Sequence, residues 1–150
     1  MKIIKFAMPI LMAGLLMACN APEQESSVDT SVPPAELTAV YFKDASWWSE
    51  GGARTGVYMW DGDNKNADWP GEALESLGGG IWKLALNDSM TFTHLIFSRI
   101  GPEDLSDWGA KTVDLNFADI NPETPMYDIS GSSTVWGDPG VSGNWVAYNA

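Results

Sequence analysis

The chain has 150 residues, 20 of them acidic and eight basic, for a net charge of −12 at pH 7. That length holds one domain plus processing segments. A surface this acidic repels phosphate backbones, which excludes nucleic acid and argues against anionic polysaccharides, so an uncharged ligand fits better.

In chain order, Lys2 and Lys5 precede a short apolar run, Ile10 to Met17, and then Leu16-Met17-Ala18-Cys19. The run is too short to span a bilayer. It is similar to a bacterial lipoprotein signal peptide over residues 1–18, ending in a lipobox whose cysteine, Cys19, becomes the lipidated (palmitate-bearing) N-terminus. Asn20 is not the aspartate that signals inner-membrane retention, so the expected location is the outer membrane, on the cell surface or the periplasmic face. Lipidation would consume the single cysteine, and the mature chain would then rely on its core without disulfides. Loss of Lys2 and Lys5 leaves six basic side chains against 20 acidic, a balance of about −14. Residues 19–36, rich in Pro, Ser, Glu and Gln, have almost nothing to bury and read as a flexible tether.

From residue 37 to 150 short strands alternate with turn clusters. Thr38 to Lys43 puts Val40 and Phe42 inward and Tyr41 outward. Thr55 to Trp60 puts Thr55, Val57 and Met59 on one face and Gly56, Tyr58 and Trp60 on the other. Ile81 to Leu86 places Trp82, Leu84 and Leu86 together, and Thr93 to Arg99 has the near-continuous apolar run of a central strand. Lys111 to Phe117, Met126 to Ile129 and Asn144 to Tyr148 complete the set. The expected fold class is therefore all-β, an antiparallel β-sandwich of about seven short strands. Only Ala73 to Leu77 hints at a helical turn.

Three of the eight tryptophans, Trp60, Trp82 and Trp145, lie on these strands and are candidates for the core. Trp47, Trp48, Trp69, Trp108 and Trp136 lie among Gly, Asp, Ser and Pro, where a large apolar ring needs a reason. Some can plug the ends of the sandwich. In Gly56 to Gly71, GVYMWDGDNKNADWPG, Trp69 stands before Pro70 and is biased to extended geometry. Beside it Tyr58 shares its face with Gly56, which suggests open space next to a flat aromatic floor. The weakly positive C–H face of a pyranose stacks on such a floor while its hydroxyls seek polar side chains.

Val40-Tyr41-Phe42-Lys43, Trp47-Trp48, Tyr58-Met59-Trp60-Asp61 and Asp68-Trp69-Pro70-Gly71-Glu72-Ala73 resemble the starch-binding modules of carbohydrate-binding module family 26, as do Leu95-Ile96-Phe97-Ser98-Arg99 and Lys111-Thr112-Val113-Asp114-Leu115. The resemblance covers about Val40 to Phe117. It implies a β-sandwich that binds α-glucan without cleaving it, with Tyr58 and Trp69 as the stacking pair. Members often carry a second tyrosine two residues before the first, where this chain has Gly56. Trp48 is the candidate third wall, and Arg99 and Lys111 are candidate hydroxyl partners.

Other chemistries find less support. Asp61-Gly62-Asp63-Asn64-Lys65-Asn66 with Glu72 has the length of a calcium loop, but Lys65 occupies a ligand place and Asn66 stands where the glycine belongs, so it reads as a hairpin turn. His94 is the single histidine and reads as structural. The expected protein is a non-enzymatic, lipid-anchored binder of α-glucan with no cofactor or metal, holding its ligand for separate glucan-degrading or uptake proteins. A surface adhesin or structural lipoprotein that binds another protein, and a small glycoside hydrolase with paired carboxylates, are the alternatives.

Overall fold

Alternation of apolar and polar residues makes short strands, and the only way to hide their apolar faces is to press two sheets together. A computed structural model describes residues 35–150. The signal segment, Cys19 and the tether up to residue 34 lie outside the described residues.

The strands are β1 (Ala39–Lys43), β2 (Arg54–Asp61), β3 (Asn64–Lys65), β4 (Glu72–Ala73), β5 (Glu75–Gly78), β6 (Ile81–Ala85), β7 (His94–Ile100), β8 (Asp107–Lys111), β9 (Leu115–Asn116), β10 (Met126–Asp128) and β11 (Asn144–Val146). One sheet has the order β11-β10-β1-β6-β5. The other runs β3-β2-β7-β8, with β4 paired to β2 and β9 to β7. The pairings are antiparallel except that of β1 with β10, which is parallel. The expected all-β sandwich is what forms, with more and shorter strands than the sequence suggested. Among the described residues no helix is long and apolar enough to cross a membrane.

Between the sheets lie Val40 and Phe42 of β1, Trp82 and Leu84 of β6, Val57 and Met59 of β2, and Leu95 and Phe97 of β7. Phe42 and Phe97 stack across the gap with centroids 4.6 Å apart. Each such ring stabilises the fold by about 1.5–3 kcal/mol through burial. Strand β7 is buried along nearly its whole length, as its apolar run predicted.

Two local expectations are corrected. Ala73 to Leu77 forms no helical turn, because Leu74 N donates to Thr55 O and the next residues pair with β6. Lys111 to Phe117 is not one strand. Thr112 turns its hydroxyl to the Phe97 N–H, Val113 N donates to Val141 O, and the chain rejoins β7 only at Leu115.

Candidate functional site

The register of β2 against β7 pairs Gly56 with Ser98, Tyr58 with Ile96 and Trp60 with His94, and Trp60 also pairs with Lys65 of β3. Paired residues share a face, so Tyr58, Trp60, His94 and Lys65 stand together on the outer side of this sheet. The half-burial of Tyr58 and Trp60, against full burial of Val57 and Met59, follows from the two-residue period.

The loop that presents Trp69 is clamped along its length. At its start the Asn66 side chain accepts from Met59 N (2.6 Å) and donates to Val57 O (3.1 Å) and Glu72 (2.8 Å). Lys65 bonds Asp68 at 2.8 Å. This hydrogen bond, with the attraction of opposite charges, raises the Lys65 ammonium above its ordinary value and lowers the Asp68 carboxyl below its own. Farther on, the Pro70 carbonyl accepts from Ser98 Oγ at 2.7 Å. Gly71, at φ +104°, then turns the chain into β4 so tightly that a Cβ there would collide with the Val57 carbonyl. Only glycine fits.

Gly56 is explained by the same crossing. A Cβ on it would lie 2.8 Å from Ser98 Oγ and 3.3 Å from Glu72 O. The glycine therefore leaves no open space beside Tyr58, contrary to expectation. The position is closed, and a tyrosine could enter it only by displacing Ser98 and Ile100 of β7 or the Glu72 backbone of β4.

The Trp69 ring is fixed at its far end by Nε1, which donates to Asp107 Oδ2 at 2.7 Å, yet 40% of the residue remains exposed. Tyr58 meets it edge to face, with centroids 5.5 Å apart and planes at 67°. Tyr58 in turn neighbours Trp60 at 5.6 Å, and Trp60 stacks on the His94 imidazole at 5.1 Å and 14°. The expected pair is adjacent and at the surface. It makes a corner rather than a flat floor, at the head of a four-ring row. The carboxylates of Asp68, Glu72 and Asp107 are exposed near its Trp69 end and can accept hydrogen bonds from hydroxyls.

The other three candidates stand elsewhere or are occupied. Trp48 is no wall of this site. It is fully buried, its Nε1 donates to Thr55 Oγ1 at 2.9 Å, and its ring packs on Phe42. Arg99 is paired with Thr55 and so lies on the inner side of the sheet, 7% exposed. Its Nε donates to Trp48 O and its Nη2 to Glu50 O. Burial lowers its pKa, partly offset by Glu50; guanidinium remains a cation regardless. Lys111, paired with Ser98, is on the correct face, but its ammonium meets Asp138 at 2.7 Å.

Sequence reasoning did not single out Asp107 or Lys65, and it read His94 as structural, without the stack on Trp60 that brings it into this row. Alternation already carried signals for two of these residues: Trp60 with its hairpin partner pointed to Lys65, and the inward Leu95 and Phe97 put His94 on the opposite face. Nothing local pointed to Asp107. The Asp61–Asn64 pairing around Gly62 is the expected hairpin turn. Among the described residues no three His, Cys, Asp or Glu side chains cluster to hold a metal ion.

Comparison with protein-family models, with curated proteins and with solved structures matched this chain to none of them.

Proposed function

We propose that the Trp69–Tyr58 corner binds an uncharged, starch-like α-glucan and that the protein holds this ligand without cleaving it. The observation that carries the reading is the indole of Trp69, pinned at its N–H by Asp107 and at its edge by Tyr58 while 40% of the residue faces water. A ring held in place before the ligand arrives loses little entropy on binding. One pyranose can stack on the indole while the phenol edge closes its flank and neighbouring carboxylates accept its hydroxyl hydrogens. Stacking at about 0.5–1.5 kcal/mol per ring, plus a few hydrogen bonds, gives an affinity on the order of 10–100 μM. The motif resemblance to family 26 modules supports the choice of α-glucan over other neutral sugars. With Cys19 lipidated, the module would sit tethered at the outer membrane, where crowding raises weak affinity by avidity.

Affinity electrophoresis through soluble starch tests this reading. Retardation of the wild-type chain, lost in Trp69→Ala, is the expected result. Release of reducing sugar would replace it with a hydrolase. Absence of retardation in every α-glucan would leave a protein-binding lipoprotein.

A further inference from the structure

We infer that Trp136 is a second stacking platform for the same glucan, so that the site continues across β8 to the sheet edge and takes an extended chain. The inference rests on the reading of the Trp69–Tyr58 corner as a glucan site.

Trp136 is the most exposed large apolar side chain among the described residues, at 57%. It is nevertheless held. Its loop is stitched to the outer edge of β8, with Gly137 N donating to Gly109 O (3.1 Å), Val141 N to Lys111 O (2.8 Å), and Lys111 paired with Asp138. The indole rests on Gly109, where a Cβ would come within 3.4 Å of Trp136 Cε3. Trp47 meets it edge to face at 5.9 Å, and the buried guanidinium of Arg99 lies 5.7 Å from its centroid. These contacts fix the protein-facing side and leave the rest of the ring to water. A free apolar ring at a surface costs solubility. A fixed one is already arranged for a flat ligand.

Its placement ties it to the first site. Asp107 accepts from Trp69 Nε1 through Oδ2 and from Gly109 N through Oδ1, each at 2.7 Å. Gly109 is the residue on which Trp136 lies. Three consecutive residues of one edge strand therefore join the two exposed indoles, along a contact path of under about 15 Å. The two indoles are anchored two residues apart on β8, about 6–7 Å along the strand, so a ligand that meets both is a short run of linked hexoses. Between the rings stands the Asp107 carboxylate, an acceptor for hydroxyls and repellent to anions.

Isothermal titration of the full chain with maltose and with maltoheptaose tests the inference. Trp136→Ala should weaken maltoheptaose roughly three- to tenfold, the worth of one stacked ring, and leave maltose within about twofold. Trp136→Leu, which keeps apolar bulk over Gly109, gives the same readout should the alanine variant melt early. Trp69→Ala should weaken both sugars about tenfold. Maltoheptaose affinity unchanged in both Trp136 variants, with Trp69→Ala still weakened, overturns this inference and spares the first. Wild-type chain that binds neither sugar, or Trp69→Ala that binds like wild type, overturns both.

Discussion

Trp48 and Trp69 each lie in a stretch of small and polar residues, and each donates its indole N–H to a side-chain oxygen, Thr55 Oγ1 at 2.9 Å and Asp107 Oδ2 at 2.7 Å. One is fully buried and the other 40% exposed. The difference lies in what covers the ring faces. Trp48 has Phe42 and Trp47 against it, and its carbonyl is held by Arg99. Among the aromatic rings Trp69 meets only Tyr58, in a T-shaped contact, and its anchor is a carboxylate that is itself in water. A satisfied N–H thus keeps an indole in place in either setting, and face contacts decide whether the ring stabilises the fold or stays free to meet a ligand.

The contrast can be broken most strongly at Trp48. Trp48→Ala should destabilise the fold by about 3–5 kcal/mol, from lost burial, a cavity and an orphaned Thr55 hydroxyl. Urea unfolding measures it. Trp69→Ala should cost under about 1 kcal/mol of stability, and a comparable loss in both variants would mean that Trp69 is a plug as well.

A smaller effect is expected at Gly56. Gly56→Ala places a methyl against Ser98 Oγ, Ile100 Cγ2 and the Glu72 carbonyl, which should cost about 1–3 kcal/mol by overpacking. The shift of the Trp69 loop should weaken glucan binding a few-fold, read by titration. An alanine variant that binds as the wild type would show that the loop yields without moving the indole.

The smallest effect sharpens the role of the anchor. Asp107→Ala removes the acceptor of the Trp69 N–H at the surface, so stability should change by less than about 1 kcal/mol while affinity falls roughly two- to fivefold. A larger loss of stability than of affinity would assign Asp107 to the fold instead.

Much of the site was legible where one local rule decides. The two-residue period alone separates Tyr58 and Trp60 from Val57 and Met59, because a strand has only two faces and one of them must be buried. Trp69-Pro70-Gly71 was legible as a rigid turn for the same kind of reason, since proline restricts the residue before it and the glycine takes φ +104°. Gly56 was misread because a missing side chain looks like a vacancy in a sequence, whereas here Ser98 and Ile100 of β7 and the Glu72 carbonyl fill it. Trp48 was misread because its neighbours in sequence are those of an exposed loop, while Phe42, Thr55 and Arg99, which meet it, come from three strands.

By itself, then, the amino-acid order determined the all-β class, the strand faces, the acidic surface that favours an uncharged ligand, and the stiff turn carrying an aromatic ring. Which of the loop rings ended inside and which outside was decided only by the tertiary structure. Those outcomes depend on partners far along the chain: Asp107 lies 38 residues from Trp69, and Arg99 51 from Trp48. Propensity and period act over a few neighbours. Burial is a property of whatever the folded chain brings alongside.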